Sequence, residues 1–320
     1  MKSYNHLNEY LEELFQGRTL KICINGGFTC PNRDGKKGTG GCIFCLGGGS
    51  LINGNSDKSI KNQVESFLSS YKGERADKFI AYFQEYTNTY GSIEELKKKY
   101  DEALMASDKF VALDIDTRPD EIDEEVAKLL SSYQDRYHVF VELGLQTSSD
   151  ETHKLINQNI TNEDVINAIS ALRKYNIEVI LHLMIGLPNE THQDIINSVN
   201  FINSLDVQGI KIHSTYVLEG TKLAEMYKNN EYIPSTKDDY IDEVIYILTH
   251  LRDDIIIHRI TGDANESKLL APSFAKNKKQ VMNEINRIME GSSLYQGKYY
   301  VKEIESLYGY ELDDNYYEID

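Results

Sequence analysis

Residues 110–146 read FVALDIDTRPDEIDEEVAKLLSSYQDRYHVFVELGLQ, and three patterns follow one another along them. Phe110–Asp116 is a short apolar run of the kind strands favour. Ile122, Val126, Leu129, Leu130 and Tyr133 then fall on one face of a helix, and His138–Leu145 returns to the strand pattern. Strand, one-sided helix, strand is a βαβ unit, whose two strands run parallel because a helix crosses between them.

The alternation continues in both directions. Leu20–Ile24, Phe79–Gln84, Ile177–Ile185 and Gly209–Val217 read as further strands, and Val165, Ile169 and Leu172 mark another helix face. Ser92 with Glu95, Thr161 with Asp164 and Thr191 with Asp194 form capping-box patterns, each just after a strand or loop. The expected fold is α/β, a partial (βα)6 barrel of the TIM type over residues 1–220. In such a barrel the loops at the carboxyl ends of the strands share one mouth, where chemistry is placed. After Val217 the rhythm weakens: 221–250 and 277–291 read as helical, and Ile255–Ile260 is one more apolar run. Residues 221–320 are therefore expected to form a helical extension packed on the barrel. It ends in an acidic, tyrosine-rich tail (299–320) that is either docked or solvated.

Thirty-four Lys and Arg against 51 Asp and Glu give a net charge of −17 over 320 residues, which excludes a generally basic nucleic-acid coat. No run of about 18 apolar residues exists to span a bilayer. The first residues, MKSYNHLNEYLEELF, are acidic where a signal peptide would be basic and then apolar, so a cytoplasmic location is expected.

Chemistry concentrates after the first strand, in Cys30-Pro-Asn-Arg-Asp-Gly-Lys-Lys-Gly-Thr-Gly-Gly-Cys42-Ile-Phe-Cys45. With Cys23, all four cysteines lie in 23 residues, a clustering that in a cytosolic chain points to metal rather than disulfides. A structural zinc would take four ligands in two short pairs, with Cys23 as the fourth, and the spacing suits it poorly. Three thiolates from one glycine-rich loop suit an iron–sulfur cluster with one iron left open.

This loop resembles the cluster loop of radical S-adenosylmethionine (SAM) enzymes, in the long-gap variant of the group related to the Elongator catalytic subunit. CPNRDG…GGCIFC is close to the YhcC/YtqA-type pattern. The resemblance extends through YFQEYTNTY (82–90), TRPD (117–120), GLQ (144–146), GLPNET (186–191), HSTYVLEGT (213–221) and HRITGD (258–263). It implies a 4Fe–4S cluster on Cys30, Cys42 and Cys45, with SAM on the open iron and a low-potential electron donor such as flavodoxin or ferredoxin. Cys23 lies outside the triplet and reads as a small buried thiol.

For SAM itself the resemblance implies Phe44 beside the adenine. Gln84, with Thr87 and Asn88, stands where relatives hold the amino group by a Gly-Gly-Glu turn. Asp116 is expected at the ribose or sulfonium, Gln146 and His182 at the ribose, and Asp120 as a helix cap. Gln158 occupies a position where relatives carry an arginine for the SAM carboxylate. On the sixth strand His213 and Tyr216 are substrate-side candidates. Arg259, Thr261, Gly262 and Asp263 form a family motif without a derived role.

Elongator-like radical SAM enzymes act on the tRNA wobble uridine, and the YtqA-type branch is associated with the 5-carboxymethylaminomethyl to 5-aminomethyl step. The resemblance thus implies tRNA as substrate. Local Lys/Arg clusters at Arg33, Lys36 and Lys37, and at Lys276, Lys278, Lys279 and Arg287, are where phosphate would be met despite the overall charge. A methylthiotransferase would need about three more cysteines for a second cluster. The alternatives carried forward are a radical SAM oxidoreductase on a small metabolite and a non-enzymatic zinc-binding adaptor.

Overall fold

The computed structural model describes residues 3–46, 58–262 and 266–301. The tail 302–320 and Asp263 therefore lie outside the described residues. The strands are β1 (Thr19–Ile24), β2 (Lys78–Phe83), β3 (Phe110–Thr117), β4 (His138–Gln146), β5 (Glu178–Ile185), β6 (Gly209–Ser214), β7 (Val217–Leu218), β8 (Ile256–Arg259) and β9 (Leu269–Ala271). The helices are α1 (Leu7–Phe15), α2 (Ile60–Leu68), α3 (Ile93–Met105), α4 (Glu124–Ser131), α5 (Asp150–Leu155), α6 (Asn162–Arg173), α7 (His192–Asn203), α8 (Lys222–Lys228), α9 (Lys237–His250) and α10 (Lys278–Gly291).

β1 to β6 pair in sequence order, all parallel, and β8 joins β6 as a seventh parallel strand. The six expected strands are thus present, and the apolar run at Ile255–Ile260 supplies one more. Lys21 of β1 reaches Glu142 of β4, and Lys211 of β6 reaches Tyr82 of β2, so the sheet is curled into an open barrel. Each of the three expected capping boxes starts its helix, at α3, α6 and α7. Asp120 does not cap: Asp123 accepts from Val126 N at the start of α4, while Asp120 takes Arg118 and Lys37.

Alternation along the strands sorts the side chains. On β4, Val139, Val141, Leu143 and Leu145 are buried against the outer helices. Each contributes about 1.5–3 kcal/mol of burial, which helps to offset the polar interior on the other side of the strand.

β6 ends earlier than expected. Thr215 turns back, its N–H and hydroxyl both donating to Ile185 O at 3.0 and 2.9 Å, and Val217–Leu218 leaves to pair antiparallel with β9. In an unbroken strand His213 and Tyr216 would face opposite sides. The break brings both to the barrel mouth.

Candidate active site

Inside the barrel the side chains lie in three tiers. At the amino-terminal end, Ile80, Ala112, Phe140 and Ile180 pack with Leu11 of α1 and close the barrel.

The middle tier is charged. Glu142, fully buried, accepts from Lys21 Nζ at 2.8 Å, Tyr82 Oη at 2.8 Å and His182 Nε2 at 2.9 Å, and from Lys211 Nζ. Lys21 also pairs with Asp114. Burial works against the Glu142 carboxylate, yet Lys21 and Lys211 hold it well below its usual range. Asp114 is pushed up to about 7 by burial and by Glu142. Burial lowers His182 to about 4 despite Glu142, so its imidazole is neutral at pH 7. Ligand atoms of Asp116, Glu142 and His182 approach within 4.8 Å of one another. Two ammonium groups already satisfy Glu142, so this group is an ion-pair network rather than a cation site.

Above it, at the carboxyl ends of the strands, lies a cavity of about 330 Å³. Cys30, Phe44, Cys42, Cys45, Gln84, Thr87, Asp116, Gln146, Gln158, His182 and Tyr216 line it, as expected for a shared mouth. A second compartment of about 240 Å³ shares Phe44, Gln146, His182, Tyr216 and Leu218 with it and adds Met184, His213 and Ser214. Asn88 lines neither. Its Nδ2 donates to Asp116 O at 2.7 Å and its carbonyl accepts from Tyr100 Oη at 2.6 Å, so it buttresses β3 from behind.

The thiols fit an iron–sulfur group. Cys42 and Cys45 are hydrogen-bonded to each other, which together with Arg33 lowers the Cys45 thiol and, with burial, raises that of Cys42. Arg118 lies beside Cys42 and Cys30 and is fixed by two 2.9 Å bonds to Asp120. Guanidinium groups beside three thiols favour the thiolate form that ligates metal. Cys23 sits on β1 among Lys211, Lys21 and Glu142, away from the triplet, which argues against a fourth-ligand role.

The same cavity shows what pattern reading missed. Glu85 lines it, buried and raised by that burial, with Asn25 Nδ2 donating to it at 2.6 Å. Gln158 spends its amide on Gly144 O at 2.6 Å, so the cations on this wall are Arg33 and Arg118 instead. Gln146 and Tyr86 adopt φ of 69° and 63°, a conformation costly for side chains with a Cβ and common where a site requires it. A Cβ on Gly144 would meet Gln146 Nε2 at 2.9 Å, so only glycine leaves that side chain its place. Glu85 and Arg118 were inside quoted motifs, and Lys21, Glu142 and Lys211 stand as single charges in apolar strands.

Of the two basic clusters, the first is engaged: Lys37 pairs with Asp120 and Glu121, and Lys36 lies over the Tyr90 ring. In the second, Lys276, Lys279 and Arg287 are exposed. They follow β9, whose partner β7 contributes Leu218 to the cavity rim.

A family model described as the Radical SAM superfamily matches residues 29–202, and one described as the Radical_SAM C-terminal domain matches 207–291. The uncharacterized protein YtqA of Bacillus subtilis is 36% identical over 301 residues, 93% of each chain. A tRNA uridine(34) acetyltransferase of Methanocaldococcus infernus is 32% identical over 180 residues, 54% of this chain and 32% of that one. Among solved structures, the Elp3 of M. infernus lacking residues 1–46 superposes with a TM-score of 0.66 at 21% identity. That superposition covers 87% of this chain and 64% of the longer one, and at this identity it speaks for the fold alone. No helix among the described residues is long and apolar enough to cross a membrane.

Proposed function

The chain belongs to the radical SAM superfamily, enzymes that use a 4Fe–4S cluster and SAM, and from that premise we propose that it modifies the wobble uridine of tRNA. The step is an oxidative N-dealkylation of a 5-carboxymethylaminomethyl substituent: hydrogen leaves the N–CH2 carbon of its carboxymethyl part with 5′-deoxyadenosine, and a one-electron acceptor such as the oxidised donor protein takes the second electron. Water adds to the resulting imine, and the C–N bond breaks to release the carboxymethyl part as glyoxylate and leave 5-aminomethyl.

In this reading Cys30, Cys42 and Cys45 hold the cluster. Phe44, Glu85, Asp116, Gln146 and His182 orient SAM, and Arg33 and Arg118 balance the negative charge of thiolates and of the SAM carboxylate. When bound, cluster and SAM supply a 5′-deoxyadenosyl radical that abstracts hydrogen from substrate. The chain's own part is to enclose that chemistry, and the closed amino-terminal tier with the charged tier above it does so.

The observation that carries the substrate is the second compartment. It shares five lining residues with the cysteine cavity, includes Phe44 and Tyr216 in its own lining, and at about 240 Å³ suits one unpaired base beside an aromatic ring. Further support is the likeness to a protein named for tRNA uridine 34. The exposed Lys276, Lys279 and Arg287 are the candidate phosphate contacts, and a flavodoxin or ferredoxin supplies the electron.

Mass spectrometry of tRNA nucleosides from a deletion strain tests this. The carboxymethylaminomethyl form should accumulate and the aminomethyl form should disappear. An unchanged nucleoside profile would contradict the substrate and favour a small metabolite.

A further inference from the structure

Behind the second compartment stands a cation to which the described residues offer no anion. Arg259, at the end of β8, donates from Nη2 to His213 Nδ1 at 3.1 Å, and no carboxylate among the described residues pairs with it. Other cations of the barrel interior have carboxylate partners, Lys21 in Asp114 and Glu142, Lys211 in Glu142 and Arg118 in Asp120, while Arg33 donates to the Cys45 and Leu46 carbonyls.

A guanidinium has no lone pair, so Nδ1 of His213 is the acceptor and the neutral ring carries its proton on Nε2. Burial, and then Arg259, keep that ring from charging. His213 Nε2 and Arg259 Nε are both buried without a hydrogen-bond partner. A buried donor left unpaired costs about 1–3 kcal/mol; the two side chains are joined by the 3.1 Å bond, and His213 lines the compartment. Two idle donors and a positive charge that no described carboxylate balances are the complement of a carboxylate.

We propose that this compartment binds the reacting base and that Arg259, acting through the His213 Nε2–H it fixes, selects a base whose substituent ends in a carboxylate. The inference rests on the tRNA reading and names the group by which the substrate is told from its product, since the product lacks that carboxylate. Tyr216 stands beside the ring, Ser214 offers a polar contact at its edge, and Arg259 is a positioning residue that supplies charge and sets the tautomer.

The test is fluorescence anisotropy with the SAM-loaded holoenzyme under anaerobic conditions. It compares an anticodon stem-loop bearing 5-carboxymethylaminomethyluridine at the wobble position with its methyl ester. The acid should bind about tenfold tighter or more. Arg259→Met should weaken the acid alone and bring the two RNAs level, whereas a merely structural defect would weaken both. His213→Gln, which retains an amide donor, should keep part of the preference. Should Arg259→Met fail to fold, judged by its SAM affinity, His213→Leu is expected to level the two RNAs in the same way. Equal binding of acid and ester by the wild type, or a preference surviving both Arg259→Met and His213→Leu, would overturn the inference and leave the tRNA reading standing. Binding of neither RNA would overturn that reading and the inference with it.

Discussion

His182 Nε2 lies 2.9 Å from Glu142 Oε2, and because Lys21 and Lys211 keep that carboxylate ionised, the neutral imidazole is the donor. One buried carboxylate thus fixes the tautomer of a residue that lines both compartments, leaving Nδ1 as its acceptor nitrogen.

This pairing makes stability depend on pH. His182 titrates at about 4 in the fold, against about 6.5 for an unperturbed imidazole. Between those values the unfolded chain binds the proton and the folded one does not. Stability from this group is therefore complete above about pH 6.5 and falls as pH drops toward 4, by about 3 kcal/mol. Asp114, raised to about 7, works in the opposite direction over the same range, so the His182 contribution is read as a difference: in urea denaturation of the apo chain from pH 7 to 4.5, the wild type should lose more stability than His182→Gln. An identical slope in the variant would assign the effect elsewhere.

The middle tier should respond unequally to its members. Glu142→Gln leaves Lys21 and Lys211 facing a neutral amide and should cost about 3–5 kcal/mol. Lys211→Met leaves Glu142 with Lys21, Tyr82 and His182 and should cost less. Urea midpoints of the two variants check the order, and the reverse order would mean that Lys211, not Glu142, is the centre of the network.

Ligand choice is tested by iron content. Cys30→Ala, Cys42→Ala and Cys45→Ala should each lose the cluster and SAM cleavage, while Cys23→Ala should retain about four irons per chain. Loss of iron in Cys23→Ala alone would reassign the ligand set.

The strained end of β4 should trade stability against SAM binding. Gln146→Gly relieves a left-handed backbone worth about 1 kcal/mol and should raise the melting temperature while weakening SAM. Gly144→Ala should displace the Gln146 side chain, 2.9 Å from the new Cβ, and weaken SAM with little change in stability. Calorimetric titration with SAM checks both, and unaltered affinity would remove Gln146 from the site.

The sheet was legible because each strand is a compact apolar run followed by a capped, one-sided helix. The break after Ser214 was not, since IHSTYVL reads as one strand; its cause is non-local, a bond from Thr215 to Ile185 O and pairing of β7 with residues 269–271. Most cavity residues were found through motifs at strand ends. Asn88 was misplaced and Glu85 passed over because both lie past β2, where period-2 alternation no longer tells which side chain turns inward. Lys21, Asp114, Glu142 and Lys211 were visible as lone charges in apolar runs. Their meeting depends on curl and strand stagger that no single strand encodes.

The most direct measurement is anaerobic turnover by the reconstituted enzyme with SAM, a low-potential reductant and tRNA from the deletion strain, read by nucleoside mass spectrometry. The expected result is conversion of 5-carboxymethylaminomethyluridine to 5-aminomethyluridine with matching release of 5′-deoxyadenosine. Release of 5′-deoxyadenosine with the wobble nucleoside unchanged would contradict it.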